Sequence, residues 1–167
     1  TVAPYDKVHC YINIPDTSGR DSLFQAEARR CKNIIDNTRD KKRHFCIFDE
    51  LFSGTNPYEA IGSATAFLKY LNKNKRLDYI ITTHFLKICT LLKDDSNISN
   101  MHMKIETGDV DVDVDNDKKE QQKDFIYTYR LESGVSNIKG GVKVLNDLSY
   151  PDEIITNTRA YISKVTL

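Results

Sequence analysis

Apolar positions in the first half of the chain follow two different periods, which predict strands and helices in turn. Residues 7–14 (KVHCYINI) alternate apolar and polar positions as a half-buried strand does, and Pro15 ends this pattern. Residues 45–48 (FCIF) and 78–83 (DYIITT) are apolar runs that predict two further, buried strands. Helical periods separate these runs. The order strand, helix, strand, helix, strand predicts a parallel sheet with right-handed crossovers.

Both intervening helices have recognisable start signals. Ser22 and Gln25 have the spacing of a capping box, and the apolar stripe that follows predicts a helix to about residue 37. Asn56 as N-cap, followed by Pro57 at the first helical position, opens the second helix.

The pattern changes near residue 100, where alternating segments replace helical ones. Residues 101–106 and 124–132 predict a hairpin, joined by a long acidic connection at residues 107–123 with a solvated tip. Two helices are predicted to close the chain, over residues 142–148 and from residue 151 to about residue 165. The whole pattern predicts an α/β fold: a sheet with flanking helices, an antiparallel hairpin edge and C-terminal helices.

Composition narrows the class of protein. A chain of 167 residues with 40% hydrophobic and 29% charged residues is typical of one soluble globular domain. Basic and acidic residues number 24 each, so the net charge of zero gives no support for direct nucleic-acid binding by this chain. The sequence has no membrane-length apolar run and no signal pattern, so we expect an intracellular location without membrane contact. The spacing of the four cysteines argues against a zinc site or a disulfide framework.

Two adjacent acids, Asp49 and Glu50, end the predicted central strand. Ligands of open α/β sheets bind beyond the carboxyl ends of the strands. In P-loop ATPases one acid there holds the Mg²⁺ shell, and a neighbouring carboxylate orients or deprotonates the attacking water. His84 ends the next strand, so its imidazole is predicted beside the acids, where it can donate to a γ-phosphate or to that water. The alternatives are a surface acid pair and an ordinary strand-end histidine.

Ser22 can combine two roles. It caps the first predicted helix, and a helix N-terminus with a serine hydroxyl is also a ready anion site. A phosphate bound there need not belong to the nucleotide of the same subunit.

Four segments in collinear order resemble the ATPase domain of the MutS family of DNA mismatch-repair proteins. Residues 22–27 (SLFQAE) are similar to the family's S-T-F-x-x-E segment. Residues 48–56 (FDELFSGTN) resemble its Walker B region, hhDExxxGT, and residues 81–84 (ITTH) resemble its A-T-H motif. Residues 129–155 are similar to the Gly/Ser-containing segment that leads into a C-terminal helical dimerisation segment. The likeness covers nearly the whole chain.

The resemblance implies a P-loop NTPase of the ABC type that works as a dimer, with each ATP held between two protomers. By this analogy Asp49 coordinates Mg²⁺ through water, Glu50 is the catalytic base and His84 is the γ-phosphate switch. Ser22 reaches the partner's nucleotide across the interface. The loop at that interface is formed by Ser53, Gly54, Thr55 and Asn56. ATP turnover then drives conformational switching on DNA.

The resemblance also implies a domain division and partners. Residues 1–139 correspond to a partial ATPase domain, and residues 140–167 correspond to the helical dimerisation segment packed on it. The implied partners are mismatched or branched DNA, bound through domains outside this chain, a second copy or a MutS paralogue, and a MutL-type protein.

One family motif is missing. No G-x-x-x-x-G-K-[ST] loop occurs, and in the family this phosphate-binding loop lies upstream of the strand that corresponds to residues 7–14. We therefore expect a chain cut before Thr1, which by itself binds ATP poorly and is inactive. The run GTNPYEA differs from the GTST-type run of housekeeping members, so the sequence supports mismatch recognition less strongly than ATP turnover.

Three alternatives compete with this hypothesis. Another ABC-type ATPase, of the chromosome-maintenance kind, would carry an LSGGQ-like signature where this chain has SxFxxE. A non-catalytic dimerisation module would not need the acids and the histidine. Acidic residues from Asp109 to Glu120 match the spacing of a calcium loop, but Val114 stands where that loop needs glycine.

Overall fold

Three parallel strands form the sheet of the first half of the chain, in the order β1-β2-β3. In the computed structural model, which describes residues 3–12, 22–114, 118–136, 138 and 140–165, these strands are β1 (Lys7–Tyr11), β2 (His44–Asp49) and β3 (Leu77–Thr82). Tyr11 of β1 pairs with Phe48 of β2, and Asp49 of β2 pairs with Thr82 of β3. This register brings the carboxyl ends of β2 and β3 level with each other.

Three helices follow these strands in chain order: α1 (Leu23–Asn37), α2 (Pro57–Leu71) and α3 (Leu86–Leu91). Both predicted start signals are confirmed. The Ser22 hydroxyl accepts from the N–H of Gln25, and the Gln25 side chain accepts from the N–H of Ser22. The Asn56 side chain accepts from the N–H of Glu59. These caps satisfy backbone donors that a helix N-terminus leaves without partners.

The hydrophobic core of this part of the chain lies against one face of the sheet. Cys46 and Phe48 of β2 are buried on that face, whereas Ile47 between them is half-buried. Val8 and Ile80, on the opposite face, are 60% and 59% exposed. The prediction of a buried third strand is therefore wrong, because only Leu77 of β3 is buried and its other five residues are half-buried or exposed. The core is completed by side chains of α1, α2 and the loop after β2, among them Ile34, Leu51, Phe52, Ala64, Phe67 and Leu68.

The chain forms two compact units, Thr1–Ile98 and Ser99–Leu167. The elements of the second unit are β4 (Met101–Val114), β5 (Lys118–Ser133), α4 (Gly141–Asp147) and α5 (Asp152–Ile162). β4 and β5 form an antiparallel sheet of their own, and α4 packs against α5. The domain division between residues 139 and 140 stays a prediction. None of the described helices is long and apolar enough to cross a lipid bilayer.

The hairpin is longer than the sequence pattern predicted. Most residues of the predicted acidic connection continue the ladder, which pairs Asp109 with Lys123 and Asp113 with Lys119. Valine alternates with aspartate in this part of β4, and this period of two and the β-branched residues favour a strand. Strands rather than helices border the segment, which argues further against a calcium loop. The predicted tip, residues 115–117, lies outside the described residues.

Candidate functional site

Asp49 and Glu50 lie exposed at the carboxyl end of β2, and Thr82 of β3 holds both of them. The Thr82 hydroxyl donates to Oδ1 of Asp49 at 2.5 Å, a short hydrogen bond of the kind that carboxylates form. The N–H of Glu50 donates to the Thr82 carbonyl at 3.1 Å. The pairing of β2 with β3 therefore continues one residue past the end of β2 and fixes the backbone of both acids.

His84 lies beside Glu50, as the sheet order predicted. Nε2 of His84 is 2.9 Å from Oε1 of Glu50. The His84 side chain is 86% exposed and that of Glu50 is 48% exposed, so this pair faces solvent rather than the core. The predicted juxtaposition is confirmed, and the chemical roles of the residues stay predictions.

The loop after β2 has an uncommon backbone. Glu50 and Phe52 have φ values of 52° and 60°, in the left-handed region that residues other than glycine rarely adopt. Such conformations persist where the surrounding structure imposes them. Leu51 and Phe52 are 1% and 5% exposed, and the Phe52 ring contacts the rings of Phe24 and Phe67. Burial of these two side chains anchors the loop and leaves Glu50 at the surface.

A buried acid, Glu27 of α1, holds the same loop from the other side. It is 2% exposed, and its Oε1 accepts from the Ser53 hydroxyl at 3.0 Å while its Oε2 accepts from the N–H of Gly54 at 3.1 Å. The Tyr11 hydroxyl accepts from the N–H of Phe52 at 3.3 Å. Burial raises the pKa of Tyr11, and a hydrogen bond to Glu27 raises it further. The phenol therefore keeps its proton.

Gly54 lies where this loop touches the start of α1. A Cβ at this position would be 2.6 Å from Cγ of Leu23 and 2.9 Å from the backbone nitrogen of Phe24. Both residues belong to the first turn of α1, directly after Ser22. Glycine therefore permits a close approach that a larger residue would prevent.

The other predicted site residues make hydrogen bonds within the chain. The Ser22 oxygen accepts from Gln25 at 3.3 Å, and its hydroxyl proton has no acceptor among the described residues. The Thr55 hydroxyl donates to Glu59 at 2.6 Å, and Asn56 caps α2. Ser53 donates to buried Glu27. Their predicted positions at a nucleotide or a dimer interface stay predictions.

Sequence reasoning assigned no individual role at the site to Glu27, Tyr11 or Thr82. The burial of Glu27 could have been predicted, because it stands four residues after Leu23 and four before Cys31, on the apolar stripe of α1. An acid at such a position is rarely buried without partners. Tyr11 and Thr82 left no comparable signal, since their contacts depend on the pairing and twist of the strands.

A metal would have to be held with few protein ligands. No group of three His, Cys, Asp or Glu side chains that could bind a metal occurs among the residues that the structure describes. Mg²⁺ at phosphate sites commonly takes one or two carboxylates, waters and phosphate oxygens. Asp49 fits this role, because Thr82 orients one of its oxygens and the other accepts no hydrogen bond from a described residue.

A parallel sheet with acids at its carboxyl edge places the chain in the class of P-loop NTPase-like α/β domains, as predicted. Comparison with known proteins then specifies the family. The family model described as "MutS domain V" matches residues 1–166. The chain belongs to the MutS family.

Individual relatives agree with this result. The chain is 31% identical to MutS protein homolog 4 of Mus musculus over 153 residues, which are 90% of the chain and 15% of the relative. It is 26% identical over 158 residues to DNA mismatch repair protein MSH2 of Saccharomyces cerevisiae, with 92% of the chain and 16% of the relative covered. For DNA mismatch repair protein MutS of Aquifex pyrophilus the identity is 24% over 144 residues, with 86% and 15% covered. The chain thus spans about one sixth of the length of these relatives.

Proposed function

We propose that this chain carries the hydrolytic half of the ATPase domain in a MutS-family protein that acts in DNA mismatch repair or as a DNA clamp. ATP turnover at a dimer interface drives the conformational switching of that protein on DNA. The observation that carries the proposal is the contact of Glu50 with His84, next to Asp49, at the carboxyl edge of the sheet. The names of two relatives, both DNA mismatch repair proteins, support the process.

Asp49 is proposed to hold the Mg²⁺ of Mg-ATP through water. Its carboxylate has the hard oxygen donors that Mg²⁺ prefers, and the Thr82 hydroxyl fixes its orientation. When bound, Mg-ATP supplies the phosphoryl group and the cation that neutralises the phosphate charge. The short hydrogen bond from Thr82 keeps Asp49 at the rim in the absence of that ligand.

Glu50 is proposed as the general base. One carboxylate oxygen is held by His84, while Oε2 has no hydrogen-bond partner among the described residues and can accept a proton from the attacking water. The left-handed φ of Glu50 and the backbone bond to Thr82 fix the position of this carboxylate. A base held in advance does not have to be ordered when the reaction occurs.

His84 is proposed as the γ-phosphate switch. Its Nε2 lies 2.9 Å from Glu50, which leaves Nδ1 for the nucleotide or the water. A γ-phosphate at the rim competes with Glu50 for this imidazole. The contact between the two side chains therefore links the state of the nucleotide to the position of the base.

The partners follow from the same proposal. Ser22, at the start of α1, reaches the nucleotide of the second protomer, and residues 53–56 line the interface. The second protomer is a copy of this protein or a MutS paralogue. DNA binds through domains outside this chain, and a MutL-type protein is a further partner.

The substitution Glu50→Gln tests the proposal. In the full-length parent protein, Glu50→Gln keeps the size of the side chain but removes the base. We expect ATP binding to persist and turnover to fall by about 10²-fold or more. The measurement is steady-state phosphate release together with equilibrium binding of labelled ATP.

Glu106→Gln is the matched control. Glu106 is an exposed glutamate of the hairpin, and its ion pair with Lys104 spans 3.8 Å. This variant should hydrolyse ATP at the wild-type rate. Unchanged turnover in Glu50→Gln would show that Glu50 is not the base. Absence of ATPase activity in the parent protein would instead favour the alternative function, a non-catalytic dimerisation module.

A further inference from the structure

The carboxylate of Glu27 joins two elements of the proposed site that are far apart in sequence. Its own helix, α1, begins beside Ser22, and its hydrogen bonds reach the loop that begins at Glu50. The mechanism proposed above gives Glu27 no chemical task. Its 2% exposure nevertheless places an acid among core side chains, where an apolar residue would avoid the cost of removing a charge from water.

Glu27 fixes two successive residues of the loop. The Ser53 hydroxyl and the Gly54 N–H donate to its two oxygens at 3.0 Å and 3.1 Å. Phe52 directly precedes these two residues, and its own N–H donates to the Tyr11 hydroxyl at 3.3 Å. Phe52 is also one of the two loop residues with left-handed backbone, the other being Glu50. The position of Glu27 therefore bears on the backbone that presents Glu50.

The contact at Gly54 makes the connection stiff. A Cβ on Gly54 would lie 2.6 Å from the Leu23 side chain and 2.9 Å from the backbone of Phe24, so no gap separates the loop from the first turn of α1. A close-packed contact transmits a displacement instead of absorbing it. The start of α1, with Ser22, and the loop after β2 therefore move together.

We propose that Glu27 is a positioning residue that sets the geometry of Glu50 and couples it to the Ser22 end of α1. This inference rests on the proposed function, in which Ser22 contacts the partner's nucleotide and Glu50 is the general base. Glu27 is buried and acts through Ser53 and Gly54. When a nucleotide is bound at the start of α1, the loop and Glu50 are held in the hydrolytic arrangement.

The substitution Glu27→Gln disturbs this arrangement with little change in side-chain volume. The Gly54 N–H can only donate, so the amide oxygen must face it, and the Ser53 hydroxyl must turn to accept from the amide nitrogen. In the full-length dimeric parent protein we expect Glu27→Gln to lower kcat for ATP hydrolysis by about 10-fold to 100-fold. The KM for ATP should stay within about twofold, because the variant changes positioning rather than uniform binding.

A double variant separates positioning from simple loss of structure. If Glu27 acts through Glu50, then Glu27→Gln should cause no further loss of the residual turnover of Glu50→Gln. A purely structural role would lower both backgrounds by the same factor, by reducing the folded fraction. Ser53→Ala, which removes one donor to Glu27, provides a milder second variant and should show the same lack of additivity. Glu106→Gln again serves as the exposed control.

The outcomes distinguish this inference from the proposed function. Wild-type kcat in both Glu27→Gln and Ser53→Ala, or equal losses with and without Glu50→Gln, would overturn the role of Glu27 while leaving Glu50 as the base. Unchanged turnover in Glu50→Gln alone would overturn the proposed function and the inference with it. A loss in Glu27→Gln or Ser53→Ala that disappears in the Glu50→Gln background would support both.

Discussion

The imidazole Nε2 of His84 lies 2.9 Å from Oε1 of Glu50, although these side chains stand on neighbouring strand ends and are 86% and 48% exposed. Ion pairs with this exposure contribute about 0–1 kcal/mol to stability, since water screens them and both side chains lose freedom. This contact therefore adds little to the stability of the fold, and we expect it to affect the chemistry of the site instead.

Replacement of His84 tests this expectation. His84→Ala should change the free energy of unfolding by no more than about 1 kcal/mol. ATP turnover in the full-length parent protein should fall by about 10-fold to 100-fold, because Glu50 loses the imidazole beside it and the γ-phosphate loses its proposed contact with His84. Thermal unfolding and phosphate release measure the two effects. Lys32→Ala, which removes the exposed ion pair with Asp36 on α1, should change neither. A large loss of stability with normal turnover would contradict the interpretation.

Asp49 should set the requirement for magnesium. Asp49→Asn keeps an acceptor for the Thr82 hydroxyl but removes the charge, so the Mg²⁺ concentration for half-maximal turnover should rise by about tenfold or more. Thr82→Val removes only the hydrogen bond that orients Asp49, so it should raise the Mg²⁺ concentration for half-maximal turnover by a smaller factor. Magnesium titrations of ATPase activity in the parent protein provide the measurement. An unchanged requirement in Asp49→Asn would assign the metal to other residues.

Replacing each of two glycines by alanine should change the free energy of unfolding in opposite directions. At Gly54 a Cβ meets backbone at 2.9 Å, so Gly54→Ala should lower the free energy of unfolding by about 1–3 kcal/mol. At Gly62, inside α2, nothing lies within 4 Å of the added Cβ. Gly62→Ala should therefore stabilise the chain by about 0.5–1 kcal/mol through helix propensity. Denaturant titrations of both variants measure the difference, and a neutral Gly54→Ala would refute the close approach of the loop to α1.

A pair of histidines at the opposite end of the sheet should make stability depend on pH. Nε2 of His9 lies 3.0 Å from Nδ1 of His44, whose Nε2 lies 2.8 Å from a carboxylate oxygen of Asp40. Burial, and then the positive charges of His44, Lys7 and Arg30, lower the pKa of His9. As the pH falls below about 6.5, the unfolded chain takes up a proton at this residue before the folded chain does. The free energy of unfolding should therefore decrease until the pH reaches the lowered pKa.

Denaturant titrations between pH 7.5 and pH 5 measure this dependence. His9→Gln should remove its share of the slope, whereas Val8→Gln, on the exposed face of the same strand, should leave the slope unchanged. An identical slope in His9→Gln and wild type would show that other groups cause it.

Local signals in the sequence predict most of the elements well. The capping box at Ser22 and the Asn56-Pro57 start depend on residues within one helical turn, so the sequence alone is enough to locate both. The hairpin is longer than predicted, because the charge of the Asp/Val alternation favours a solvated connection while its period of two is typical of a strand. In this segment the period, and not the charge, corresponds to the observed structure.

The sequence by itself determined the family, the strand and helix order, and the identity of the acids and the histidine at the edge of the sheet, since each depends on neighbours along the chain. Only the tertiary structure decided that Thr82 orients Asp49, and that Glu27 and Tyr11 hold the loop behind Glu50. These contacts join residues from separate strands and helices. Their distances depend on strand register and on the packing of α1 against the loop, and no local pattern of residues specifies those quantities.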